Sequence, residues 1–237
     1  MAFWTALKFL TVLPAPGRAN TEPGQSLPYF PLVGLLLGLV LLGLDYGLSQ
    51  ILPAQITAGL LVIALAILTG GHHLDGLADT FDGLGGTTKE ARLELMAQSG
   101  SGTAGTAAVL LLLMVKYLAI WQAAILPALL LAPALARGTI PGIIFFFPAA
   151  RSSGMGHTFK RSLSKRGLTV ALLIPLVAAV LLLGLKGLIL TVLLWLVTLS
   201  LGYYLRHKLG GLTGDSYGAL IEISEALALV LIVWLQQ

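Results

Sequence analysis

Apolar residues in this chain come in long unbroken runs, not in the alternation of a half-buried strand or the one-sided stripe of a soluble helix. Seven windows stand out, at 29–50, 54–72, 105–125, 128–148, 168–185, 187–205 and 217–236. Each approaches or exceeds the roughly 20 apolar residues that cross a hydrocarbon core. Backbone polar groups find no water in lipid, so each window is expected to be a helix that pairs them internally. The polar remainder lies in segments too short to fold separately. The pattern predicts an all-α fold, a polytopic integral membrane helical bundle of about seven transmembrane helices, with residues 1–237 as one transmembrane domain. The opening stretch, MAFWTALKFLTVLPAPGRAN, has no small-residue cleavage site after a long apolar region and breaks at Pro14 and Pro16. It reads as an interfacial segment with Trp4 and Lys8 at headgroup level, not as a signal peptide.

Composition agrees with the pattern. Of 237 residues, 57% are hydrophobic and 10% charged, where a soluble domain carries about a quarter charged; mean hydropathy is +0.94. No cysteine is present, which excludes disulfides and thiolate nucleophiles or metal ligands. The net charge of +4 does not point to nucleic acid, because positive loops also orient membrane proteins. With seven spans and a cytoplasmic N-terminus, one side receives Lys8, Arg18, Lys89, Arg92, Arg151, Lys160, Arg161, Lys165, Arg166, Arg206 and Lys208, and the other only Lys186. That asymmetry makes the first side cytoplasmic. Three polar segments then share the cytoplasmic face: GGHHLDGLADTFDGLGG (70–86), PAARSSGMGHTFKRSLSKRG (148–167) and GGLTGDSYGALIEISE (210–225).

The first of these presses charge directly against an apolar run. On a helix, Asp75, Asp79 and Asp82, spaced by four and then three residues, stack three carboxylates on one face. Stacked carboxylates repel, and a divalent cation with a taste for hard oxygen ligands, Mg²⁺, Mn²⁺ or Ca²⁺, relieves the repulsion. The spacing is not that of an EF-hand and suits a helix end that holds metal for phosphate chemistry. Gly76, Gly83, Gly85 and Gly86 read either as room for a phosphate at the backbone or as helix-contact glycines. His73 reads as a base, a ligand or a hydrogen-bond donor to phosphate.

In the last segment Asp215, Glu222 and Glu225 recur on one helical face and carry two glutamates into an apolar span, where ionisable groups are functional candidates. Arg137 lies midway along the fourth span and calls for a partner, either a carboxylate of the bundle or a substrate phosphate. Lys116 lies within the third span, either functional or reaching for the interface. In the second segment Arg151, His157, Lys160 and Arg161 surround SSGMG, a basic loop suited to a polyanion. Arg151 is the candidate contact there; Lys165 and Arg166 read as orienting charges.

Taken together and in this order, GGHHLDGLADTFDGL, Arg137, PAARSSGMGHTF and GGLTGDSYGALIEISE resemble the cobalamin synthase family, the adenosylcobinamide-GDP ribazoletransferases. The resemblance covers most of the chain. It implies a Mg²⁺-dependent transferase of the bacterial inner membrane, active on the cytoplasmic face, that joins adenosylcobinamide-GDP to α-ribazole or its 5′-phosphate and releases GMP. It carries His73 forward as catalytic, Asp75, Asp79 and Asp82 as metal ligands with Asp82 also catalytic, and Asp215, Glu222 and Glu225 as substrate contacts. Arg137 and Arg151 are expected on phosphate oxygens, with the ribazole 5′-hydroxyl attacking the phosphorus on the cobinamide side and His73 or a carboxylate accepting its proton. His72 does not match the family position.

One segment departs from the family pattern. Relatives are expected to read like EIMKDSRIGTFG where this chain has ELMAQSGSGTAG (94–105), so Gln98 and Gly100 replace an acidic and a basic group and Arg92 becomes the nearest cation by sequence. Arg92 is therefore a further substrate-binding candidate. A CDP-alcohol phosphotransferase of lipid headgroups is the nearest alternative, although its motif has arginine where Asp79 stands. An ion-coupled transporter is the other, and would want polar groups near the bilayer centre on several helices. A homo-oligomer, with polar loops serving a neighbouring protomer's site, stays open.

Overall fold

Glycines, prolines and the polar segments cut the apolar runs into helices. In this computed structural model, which describes residues 1–16, 22–123, 125–151 and 155–237, the order is α1 (Ala2–Leu10), a 3₁₀ segment (Pro23–Tyr29), α2 (Phe30–Leu48), α3 (Ala54–Leu68), α4 (His72–Gly83), α5 (Lys89–Leu95), α6 (Thr103–Gln122), α7 (Ile125–Phe146), α8 (Met155–Ser162), α9 (Lys165–Leu183), α10 (Leu185–Leu209) and α11 (Gly214–Gln236). Among the described residues the one β-type pairing is an isolated bridge between Ala149 and Leu212. Arg18 and residues 152–154 of the basic loop lie outside the described residues.

Among the described residues six helical stretches are long and apolar enough to cross a membrane: Pro23–Leu48, α6, α7, α9, α10 and α11. The protein is an integral membrane helical bundle. The expected second span ends early, at Leu68, and the chain turns through 88° into α4. Gly70 and Gly71 make that turn with φ of +65° and +70°, a backbone region that costs any residue with a Cβ. Hydropathy alone joins α3 to α4; two consecutive left-handed residues separate them. The polar helix α4 is thus directed away from the α3 axis, and only the two together, as a bent pair, match the length and apolar content of a span.

Helix α7 is the centre of the bundle, with residues 131–144 all buried and α2, α9 and α11 packed around it. α7 contains Pro133 and Pro141, and the first of them shapes its contact with α2. Pro133 has no N–H to give the Leu129 carbonyl, and Gly38 of α2 faces that carbonyl so closely that an added Cβ would sit 2.6 Å from its oxygen. One turn earlier Gly34 lies as close to the α7 backbone, where a Cβ would meet the Ala134 Cα at 2.5 Å. Two glycines four apart therefore let two backbones touch, which is how helices associate when lipid offers no hydrophobic drive between them. Elsewhere the outer faces of the helices expose Leu39, Ile63, Leu111, Leu181 and Leu196, as a surface against lipid tails requires.

Gly34→Leu or Gly38→Leu is expected to lower stability by about 1–3 kcal/mol or more through overpacking, read as a lower thermal midpoint in detergent. Gly43→Leu on the same helix, with nothing within 4 Å of an added Cβ, should leave the midpoint in place. Equal behaviour of the three variants would contradict this account of the α2–α7 contact.

Candidate active site

The polar helix α4 is seated on the start of α11 by two more close approaches. A Cβ on Gly76 would lie 2.8 Å from the Asp215 carbonyl oxygen, and one on Gly218 would lie 3.2 Å from the His73 Cα. This crossing sets Asp75 and Asp79 beside Asp215. The first turn of α11 is itself fixed: the Thr213 hydroxyl accepts from the Ser216 N–H at 3.1 Å, and the Thr213 N–H is donated back to the Ser216 hydroxyl at 3.3 Å, the reciprocal cap of a helix start. Ahead of it, the Ala150 N–H donates to the Leu212 carbonyl and the Leu212 N–H to the Pro148 carbonyl, both at 2.9 Å. That bridge draws the basic loop alongside. Arg151 donates to the Leu93 carbonyl at 3.2 Å, and its charge acts on Asp215.

The electrostatics of α4 follow from this gathering. Burial, then the Asp75, Asp215 and Asp82 carboxylates in turn, push the Asp79 carboxyl up to about 6, as expected where like charges crowd a partly desolvated site. Burial, then the charge of Arg137, holds His73 down at about 3, so its imidazole is neutral at neutral pH. Its Nδ1 is buried with no hydrogen-bond partner among the described residues.

A cavity of about 390 Å³ opens beside these groups. One wall is polar, with His72, His73, Asp75 and Asp215; the other is largely apolar, with Phe9, Phe30, Phe159, Ile140 and Ile144, and Lys8 and Tyr217 also line the cavity.

Asp82 points elsewhere. Its Oδ2 accepts from the Gly102 N–H at 2.6 Å and its Oδ1 from the Gly105 N–H at 2.8 Å. Both oxygens thus satisfy orphan amides at the positive end of α6. Among the described residues no three His, Asp or Glu side chains form a ready ligand shell. Mg²⁺ is nevertheless commonly held by one or two carboxylates, with waters and substrate phosphates completing its octahedron. Asp75 and Asp79, oxygen donors whose carboxylates accept no hydrogen bond from another described residue, fit that requirement.

The remaining acidic and basic candidates meet one another in the bundle interior. Lys116 of α6 donates to Glu222 Oε2 at 2.5 Å and to Glu225 Oε1 at 2.6 Å; Arg137 of α7 donates from Nη1 to Glu225 Oε2 at 2.6 Å and to the Pro133 carbonyl at 3.0 Å. All four residues are buried, and their formal charges cancel. Glu222, Glu225 and Arg137, expected against substrate, are here engaged with each other and with Lys116 and do not line the cavity. Arg92 donates to the Lys208 and Thr87 carbonyls at 3.2 and 3.3 Å, tying α5 to the end of α10. Lys160 donates to the Phe147 carbonyl at 2.9 Å.

Sequence reasoning missed the cavity's aromatic wall, because Phe9, Phe30 and Phe159 come from three distant segments and carry no spacing signal. It set aside His72, which lines the cavity although it does not match the family position. It also missed the receptor for Asp82. The glycines of SGTAG were the available signal, since their amides are what the carboxylate takes.

The fold and the site define a polytopic helical membrane protein with an acidic, cavity-flanked centre at one end of the bundle, a setting for chemistry on phosphate groups. The chain belongs to the cobalamin-5-phosphate synthase family, whose pattern it matches over residues 2–233. It is 41% identical over 230 residues to the adenosylcobinamide-GDP ribazoletransferase of Roseiflexus sp. (strain RS-1), covering 94% of this chain and 86% of that protein. It is 39% identical over 246 residues to the protein of the same name from Klebsiella pneumoniae, covering 97% and 98%, and 38% identical over 244 residues to that of Geotalea daltonii, covering 98% and 96%. No solved structure matches.

Two outcomes are expected from the carboxylates that face inward. Glu225→Ala leaves two buried cations short of a partner and should cost about 3–5 kcal/mol, read from thermal unfolding in detergent; a loss under 1 kcal/mol would mean that the network is not formed. Asp82→Ala should cost about 1 kcal/mol, the usual scale of a lost helix cap, and should speed amide hydrogen exchange at residues 102–106. Unchanged exchange there would show that Asp82 does not hold α6.

Proposed function

We propose that this chain is a Mg²⁺-dependent adenosylcobinamide-GDP ribazoletransferase. It joins adenosylcobinamide-GDP to α-ribazole or its 5′-phosphate, forms adenosylcobalamin or its 5′-phosphate, and releases GMP, a late step of cobalamin biosynthesis. The observation that carries this reading is the gathering of Asp75, Asp79 and Asp215, the first and last of them lining a cavity of about 390 Å³, in a member of the cobalamin-5-phosphate synthase family.

Phosphoryl transfer asks for charge neutralisation and alignment more than for covalent help. Asp75 and Asp79 would hold Mg²⁺, which when bound neutralises diphosphate charge and stabilises the departing GMP. A hydroxyl of the ribazole ribose forms a bond to the phosphorus on the cobinamide side. The bond from that phosphorus to the bridging oxygen breaks, and GMP leaves with that oxygen. The sequence reading put the attack on the 5′-hydroxyl; a product that bears a 5′-phosphate has that oxygen already esterified, so a ring hydroxyl of the ribose attacks instead. Asp215, on the cavity wall, is placed to take the hydroxyl proton, a role that suits a carboxylate better than an imidazole held neutral down to about 3. His73 orients the nucleophile as a neutral hydrogen-bonding group. Arg151, tethered to Leu93 and facing Asp215, pairs with a phosphate oxygen. The Lys116–Glu222–Glu225–Arg137 network holds α6, α7 and α11 in register beneath the site and touches no substrate.

The excess of Lys and Arg on the side that bears α4, α5 and α8 supports a cytoplasmic active face in a bacterial inner membrane. The packing of every span directly or through a neighbour onto α7 supports one transmembrane domain.

Purified protein mixed with adenosylcobinamide-GDP, α-ribazole and Mg²⁺ is expected to release GMP in step with corrinoid product, and removal of Mg²⁺ with EDTA should abolish release. Asp79→Ala should lower turnover by about 10³-fold or more, as loss of an electrostatic centre does, with thermal stability retained. GMP release that survives chelation would remove the metal; no release under any condition would remove the reaction.

A further inference from the structure

The phosphate chemistry occupies one wall of the cavity and leaves the other unexplained. Phe30 and Phe159 are buried and meet edge to face at 6.0 Å between ring centroids; Phe9 stacks on Phe30 at 5.8 Å and meets Phe159 at 5.0 Å. Ile140 and Ile144 of α7, both buried, complete this side. The three aromatic rings come from α1, α2 and α8, so three separate segments converge on one apolar surface.

Size and polarity narrow the occupant. A volume of about 390 Å³ is at the low end for small-molecule sites. A corrin ring with its amide side chains is several times the bulk of a nucleoside and does not enter. Two nucleosides take part in the reaction, the guanosine of the GDP and the ribazole. Guanine presents amide, amine and ring-nitrogen groups around its rim; Lys8 and Tyr217 also line the cavity and can meet one or two of them, but against the Phe and Ile side chains the rest would lose water without gaining partners. A benzimidazole base is flat, bicyclic and apolar at its outer edge, and it stacks on aromatic rings at little polar cost. At the opposite wall, the buried and unpartnered His73 Nδ1 and Asp215 are where the polar ribose must lie for a hydroxyl to reach the diphosphate.

We infer that this cavity is the ribazole subsite, with the apolar base seated against Phe30, Phe159, Ile140 and Ile144 and the ribose turned toward His73 and Asp215. The inference rests on the transferase reading and adds to it the position of one substrate and the residues that select its base. Base selectivity then resides in α2, α7 and α8, apart from the aspartates that serve the phosphates.

Steady-state kinetics with purified protein in detergent test it. Ile144→Trp, which intrudes on the base, should raise KM for α-ribazole about 10-fold or more and leave KM for adenosylcobinamide-GDP within about two-fold. Phe159→Leu, which enlarges the pocket without a polar change, should instead raise kcat/KM for a riboside of a larger tricyclic base relative to α-ribazole. Radiolabelled α-ribazole should bind wild-type protein saturably without corrinoid, and guanosine should not displace it. An effect of Ile144→Trp on the corrinoid KM alone, unchanged selectivity in Phe159→Leu, or displacement by guanosine overturns the subsite while product formation by wild type keeps the reaction. Binding of α-ribazole without any GMP release by wild type supports the subsite and removes the transferase reading.

Discussion

Glu225 is the residue on which the arrangement turns. It is buried, 1% exposed, in a region where an unpaired charge costs several kcal/mol, and its two oxygens are taken by cations from two different helices, Lys116 of α6 and Arg137 of α7. Glu222, one turn earlier, shares Lys116. Two acids and two bases cancel one another, and because each contact is short and directional, the balance exists in only one mutual register of α6, α7 and α11. That register decides what stands at the ends of these helices. Asp215 precedes Glu222 by two turns on the same helix, so fixing the glutamates fixes the aspartate; α6, held by Lys116 lower down, offers its first amides to Asp82. The site at the surface is therefore set by an ion network below it, in which Arg137 Nε and Nη2 keep no hydrogen-bond partner among the described residues.

The α3–α4 turn is the second constraint. A straight continuation of α3 would bury three aspartates among apolar helices. Two left-handed glycines instead send α4 across at 88°, and the narrow contacts at Gly76 and Gly218 press it onto α11. One polar helix thereby reaches both the start of α11 and the start of α6, and its aspartates divide between them: Asp75 and Asp79 toward Asp215, Asp82 toward α6.

Most of the fold was legible from the chain because span length and apolar content are local properties. The second window was read as one helix to residue 72, whereas α3 ends at Leu68, because hydropathy is blind to φ and the break at Gly70–Gly71 depends on it. The aspartate cluster was legible from its spacing, and Asp75 and Asp79 stand together as that spacing implies. The direction in which Asp82 faces was not, since it depends on where α6 begins. Arg137 was seen to need either a carboxylate or a phosphate; the choice of Glu225 is a tertiary fact. The same limit hid the aromatic wall, which exists only once α1, α2 and α8 converge.

Chemically similar carboxylates thus meet two fates in one bundle, and the difference is the presence of a cation on the neighbouring helix. Glu222 and Glu225 find Lys116 and Arg137, become neutral as a group, and serve as structure. Asp75 and Asp79 find Asp215, and the mutual repulsion is visible in an Asp79 carboxyl pushed up to about 6. A protein that needed only stability at this position would replace one of these acids, because clustering them opposes folding. Keeping them together stores an affinity for positive charge at the edge of the cavity. The adjoining apolar wall adds a second requirement, since a flat base seated there displaces water from beside the reacting phosphate and strengthens every charge interaction at the aspartates.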